Sequence, residues 1–113
     1  MTLSGALAVT SARRASALPD VPTVSEAGAT LGLKAFDIST WFGIFGPSGL
    51  AADTQARLNK AMVEALSSAE MKSRMATLMA ETTPTTPEQF GAFVRAELGK
   101  YEKVVKAIGA RAD

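Results

Sequence analysis

The chain has 113 residues, 47% apolar and 20% charged, a size and composition suited to one globular domain. Its 12 Lys+Arg and 11 Asp+Glu nearly cancel and lie scattered, which argues against the concentrated basic footprint that nucleic-acid phosphates require; no nucleic-acid partner is expected. With neither cysteine nor histidine, the chain lacks disulfides, thiolate nucleophiles, sulfur-ligated metals and the usual imidazole base, so no catalytic residue, metal site or cofactor is expected.

The first residues, Met1 to Ala6, lack the charged start and long apolar core of a secretory signal, and no signal peptide is expected in this chain. No apolar run approaches the roughly 20 residues needed to cross a bilayer, because Gly, Pro or a charge interrupts each one.

Leu7-Ala8-Val9-Thr10 reads as a short buried strand running out to the surface at Ser11, Arg13 and Arg14. In Leu18-Pro19-Asp20-Val21-Pro22 two prolines fix φ, which predicts an extended, rigid connection. Thr23 opens a short helix as a capping box with Glu26, and Gly28 stops it.

Phe36 to Phe45 carries Ile38, Trp41, Phe42, Ile44 and Phe45 with no charge after Asp37, which suits a second, largely buried strand ended by Gly46-Pro47-Ser48-Gly49. Leu58, Ala61, Met62, Ala65 and Leu66 then recur at helical spacing, with Asp53 near the positive end of the dipole, predicting a second helix to about Leu66.

Ser68 caps a third helix with Met71, Met75, Leu78 and Met79 on one face, filling core gaps. Thr86-Pro87-Glu88-Gln89 combines an N-cap hydroxyl, proline at the first helical position, an early acid and a Gln returning to the cap. The apolar stripe from Phe90 to Ile108 extends that helix over about 20 residues to Gly109, with Glu102 and Lys106 paired on its outer side.

The spacing of Gly43, Gly46 and Gly49 invites a phosphate-loop reading, but Leu50-Ala51-Ala52 stands where Lys and Ser or Thr would follow, so a plain strand-to-helix turn is the better account. Glu26, Glu64, Glu81, Glu88 and Glu97 fall at caps, on outer helix faces or in loops, where solvated or capping roles outweigh acid–base work. Arg13 and Arg14 follow a strand end where a cation can pair with a carboxylate, although adjacent loop arginines are more often solvated.

Thr10 and Ser11 occupy the presumed carboxyl end of a strand, the edge at which open α/β sheets bind ligands. On the second strand, adjacent Trp41 and Phe42 point to opposite faces, so one at most lines a cleft. The candidate ligand-binding residues are Thr10, Ser11, Asp20, Thr23 and Trp41.

The ordered segments Leu7 to Arg14, Leu18 to Gly28, Trp41-Phe42-Gly43-Ile44-Phe45, Arg57-Leu58-Asn59, Thr86-Pro87-Glu88-Gln89-Phe90 and Lys103-Val104-Val105-Lys106 resemble the Bug or TctC family, the extracytoplasmic solute receptors of tripartite tricarboxylate transporters. The resemblance covers nearly everything after Gly5. It implies a C-terminal fragment of a two-lobed periplasmic-binding-protein-like (Venus flytrap) α/β fold, here two strands plus about four helices. Residues 1–40 would be the end of the second lobe and the crossover, and 41–113 a hinge strand and helices packing on the first lobe.

The implied function is that of a periplasmic receptor, not an enzyme, whose full-length form binds a small carboxylate and hands it to the membrane subunits of the transporter. Apolar helix stripes without their partner sheet would favour self-association of this chain. The alternative is a small helical protein-interaction domain without a small-molecule ligand.

Overall fold

The structure, a computed structural model, describes residues 5–111, which fall into two units, one running to Gly46 and one starting at Pro47. In the first unit, the chain around Val9 lies parallel to the chain around Thr23 in an isolated bridge. Val9 N–H donates to Pro22 O at 2.9 Å and Val24 N–H donates to Val9 O at 2.8 Å. Helix α1 (Val24–Ala27) starts from Thr23, whose hydroxyl accepts the Glu26 N–H at 3.0 Å while the Glu26 carboxylate accepts the Thr23 N–H at 2.7 Å. This reciprocal box satisfies two donors that a helix start otherwise leaves open.

Gly28 ends α1 in close quarters: a β-carbon there would stand 2.7 Å from Leu33 Cδ1 and 3.0 Å from Val24 O. A single 3-10 turn, Ala29–Leu31, follows and closes on Gly32 at φ 79°, a left-handed conformation that glycine adopts without steric cost.

The expected α/β fold with two strands is corrected here. Among the described residues neither Leu7–Thr10 nor Phe36–Phe45 forms a strand, and the regular structure is helical. A strand exists only when a neighbouring backbone takes its N–H and C=O groups, and apolar β-formers cannot supply that neighbour themselves. The first segment finds one bridge at Val9, and the second is held through Ile38 N–H to Thr10 O at 2.8 Å. Phe42, released from any strand alternation, is 95% exposed while Trp41 is half-buried.

The second unit carries α2 (Ala52–Ser67), α3 (Ala69–Thr77) and α4 (Pro87–Ile108). Asp53 sits in the first turn of α2, and Ser68 separates α2 from α3, its hydroxyl accepting the Met71 N–H at 3.2 Å. Ser68 alone joins the two helices, which are in contact, and Met71 and Met75 are half-buried. Leu78 and Met79, expected on the same face, lie beyond the helix end and are 73% and 81% exposed.

Helix α4 begins with the predicted box, Thr86 Oγ1 accepting the Gln89 N–H at 3.1 Å and Gln89 Oε1 accepting the Thr86 N–H at 3.0 Å, with proline behind the cap. It ends on Gly109 at φ 67°. No helix among the described residues is long and apolar enough to cross a membrane. No apolar side chain among the described residues is fully buried, and Leu98, Val105 and Ile108 on α4 remain exposed.

Candidate functional site

The candidate residues of the first unit gather around the turn from Thr10 to Arg14. Upstream, the Val9 bridge sets that turn beside the start of α1. Thr10 O accepts the Ile38 N–H at 2.8 Å, and two residues on, the Ala12 N–H donates to Asp37 Oδ1 at 3.0 Å. Within the turn, the Ser11 hydroxyl donates to Arg13 O at 2.8 Å. Arg14 closes the far end: its Nε donates to both carboxylate oxygens of Glu26, at 3.0 and 3.3 Å, and its Nη1 to Pro19 O at 3.2 Å.

This arrangement separates the two arginines that the sequence leaves equivalent. The charge of Arg14 is engaged by Glu26, whereas Arg13 and Thr10, on the same turn, are both exposed. The carboxyl of Glu26 is held below its ordinary value, first by the Thr23 backbone N–H and then by the Arg14 guanidinium, since both favour the ionised form. Hydroxyl and guanidinium groups presented together on a held turn are donors suited to an oxyanion.

Thr23 is 2% exposed, and its oxygen serves the helix cap. Asp20 is exposed in a turn closed by Val21 N–H to Leu18 O at 3.1 Å, with Pro19 at the position where its fixed φ suits the bend. Trp41 lies further along the segment that Asp37 and Ile38 attach to the turn, half-buried and outside regular structure. The structure thus brings Thr10, Ser11 and the Thr23 cap into one neighbourhood and sets Asp20 on the loop leading to that cap.

Two carboxylates acquire roles that sequence reasoning missed. Asp37, the last charge before the apolar stretch to Phe45, reaches 25 residues back to Ala12, and only its isolation ahead of an uncharged run hinted at a partner. Glu97, expected on a solvated face, is 8% exposed and paired with Lys100 at 2.6 Å. Its register was the available signal, because Val94, Glu97 and Tyr101 follow the 3- and 4-residue steps of one helix face.

The family model described as tripartite tricarboxylate transporter family receptor matches residues 4–110. Protein BugT of Bordetella pertussis is 33% identical over 106 residues, covering 94% of this chain and 31% of that protein. The UPF0065 protein in the tcbD-tcbE intergenic region of Pseudomonas sp. (strain P51) is 32% identical over 100 residues, covering 88% of this chain and 29% of its own length. The UPF0065 protein in the TAR-I ttuE-ttuC' intergenic region of Agrobacterium vitis is 34% identical over 109 residues, covering 92% and 30%. The chain spans about a third of the length of these relatives. No solved structure matches it significantly.

Proposed function

The chain belongs to the tripartite tricarboxylate transporter receptor family, and from that premise we propose that it is part of an extracytoplasmic solute receptor whose full-length form binds a small carboxylate for uptake. The observation that carries this reading is the match of the family model to residues 4–110, almost the whole chain. The carboxylate ligand class is supported by the Thr10–Arg14 turn, which presents exposed Thr10 and Arg13 while the charge of Arg14 is balanced by Glu26. In this reading Thr10 and Ser11, with Asp20, Thr23 and Trp41, line or support the carboxylate site. Residues 1–40 are the end of the receptor's second lobe and its crossover, and 41–113 the hinge segment and the helices that pack on the first lobe. The full-length receptor works in the periplasm and delivers its ligand to the membrane subunits of the transporter.

The exposed apolar stripe of α4, with Leu98 66% and Ile108 70% exposed, favours a second reading of the helical unit as a surface for protein contact. The contact is with further receptor polypeptide, or with a second copy when this chain stands alone.

An amide proton–nitrogen NMR titration with acetate, succinate and citrate tests the first reading. Selective shifts at Thr10, Ser11 and their neighbours are expected. A dispersed spectrum that ignores all three acids would remove carboxylate binding from this chain, leaving the protein-contact reading.

A further inference from the structure

The Thr10–Arg14 turn is short and exposed for most of its length, so its geometry depends on the tethers that reach it from elsewhere. Two of these are local to the α1 region, the Val9 bridge at the entry and the Arg14–Glu26 pair at the exit. Between them, the middle of the turn is held from residues 37 and 38: Asp37 Oδ1 accepts the Ala12 N–H at 3.0 Å and the Ile38 N–H donates to Thr10 O at 2.8 Å.

These two bonds run in opposite directions between the same two segments, donor to acceptor and acceptor to donor, so together they resist both sliding and rotation of the turn. A carboxylate accepting a backbone amide makes a stronger bond than a neutral acceptor does. Asp37 also sits four residues before Trp41, so the segment that bears one candidate contact anchors the turn that bears two others.

We propose that Asp37 is a positioning residue for ligand binding: by accepting the Ala12 N–H it holds Thr10 and Ser11 in the arrangement that meets a carboxylate. This inference rests on the carboxylate-receptor reading given above. Asp37 does not itself contact the ligand in this account, because its negative charge opposes an anion, and its contribution to the turn is the bond it accepts from Ala12. The acceptor role and the charge therefore come apart experimentally. Asparagine keeps an oxygen at the same place without the charge, and alanine removes both.

The test compares the wild-type chain with Asp37→Asn and Asp37→Ala, reading Ala12 amide exchange and the citrate titration of the Thr10 and Ser11 signals. In Asp37→Ala, exchange at Ala12 is expected to rise about tenfold and citrate affinity to fall about tenfold, as loss of one charge-assisted bond implies. Asp37→Asn, whose neutral oxygen makes a weaker bond at the same place, is expected to recover most but not all of both, and the amides of α1 and α4 keep their protection in all three proteins.

Unchanged Ala12 exchange in Asp37→Ala overturns the proposal, and so does citrate affinity that Asp37→Ala leaves intact. Loss of affinity in Asp37→Asn as large as in Asp37→Ala overturns it as well, since the acceptor oxygen would then be irrelevant. Should Asp37→Ala not fold, Asp37→Leu takes its place as the variant without an acceptor oxygen: faster Ala12 exchange and weaker citrate binding than in Asp37→Asn are expected, and wild-type values of either in Asp37→Leu overturn the proposal. A wild-type chain silent to citrate sinks the carboxylate reading itself, a different failure from an affinity that is present but indifferent to Asp37.

Discussion

Arg14 and Glu26 meet across twelve positions of sequence, the guanidinium Nε standing 3.0 Å from Oε2 and 3.3 Å from Oε1 of the carboxylate. The same Oε2 accepts the Thr23 N–H at 2.7 Å, so one side chain closes the helix cap and ties it to the candidate turn.

Glu26 should therefore report on acid pH. Its carboxyl is held below its ordinary value of 4.5, so below that pH the unfolded chain takes up protons before the folded one does. The stabilisation is fully present above about pH 4.5 and is lost as pH falls through the lower folded value. Carbon-detected NMR titration of the Glu26 carboxyl is expected to give a midpoint below 4.5, moving upward in Arg14→Gln and, because the group is exposed, also with added salt. A midpoint at the ordinary value would show that the cap and the ion pair do not persist in solution.

Met79 occupies a position that favours glycine. At the end of α3 the Ala80 N–H donates to Met75 O at 2.9 Å and the Met79 N–H to Ala76 O at 3.0 Å, a Schellman closure that places Met79 at φ 55°. Its side chain is 81% exposed and loses little packing when removed. Met79→Gly is expected to stabilise the α3 end by about 0.5–1 kcal/mol, read as slower exchange of the last α3 amides. Faster exchange there would mean that the methionine contributes packing that outweighs the left-handed strain.

Asn59 links α2 to the segment ahead of α4, its Nδ2 donating to Thr85 O at 2.9 Å across 26 positions. Removing the side chain leaves a part-buried carbonyl without this donor, and Asn59→Ala should cost about 1 kcal/mol by thermal or denaturant unfolding. Asn59→Asp, which replaces the donor by an acceptor facing the same carbonyl, should cost more. Equal effects of the two substitutions would discount the hydrogen bond.

The Glu97–Lys100 pair predicts an asymmetry between single and double changes. Lys100→Met strips a nearly buried carboxylate of this cation and is expected to destabilise α4 by about 1–2 kcal/mol. Adding Glu97→Leu should recover most of that loss, because an apolar side chain at this site carries no desolvation cost. If the double variant is no more stable than Lys100→Met, the carboxylate is better hydrated in solution than its 8% exposure implies.

The features legible in the sequence are those whose partners lie within one helical turn. The boxes Thr23/Glu26 and Thr86/Gln89 join residues three apart, the Ser68 cap reaches Met71, and Gly109 ends α4 by its own conformational freedom, so residue type and spacing suffice to place them. The order of such local motifs also carries the family resemblance, and the family match extends over the same stretch. Strands, the Ala12–Asp37 tether, the Arg14–Glu26 pair and the burial of Glu97 depend on which distant segment comes alongside. Apolar alternation from Phe36 to Phe45 states a willingness to pair and nothing about a neighbour, and only the tertiary structure decided that, among the described residues, a bridge at Val9 and bonds from residues 37 and 38 stand in place of the expected sheet.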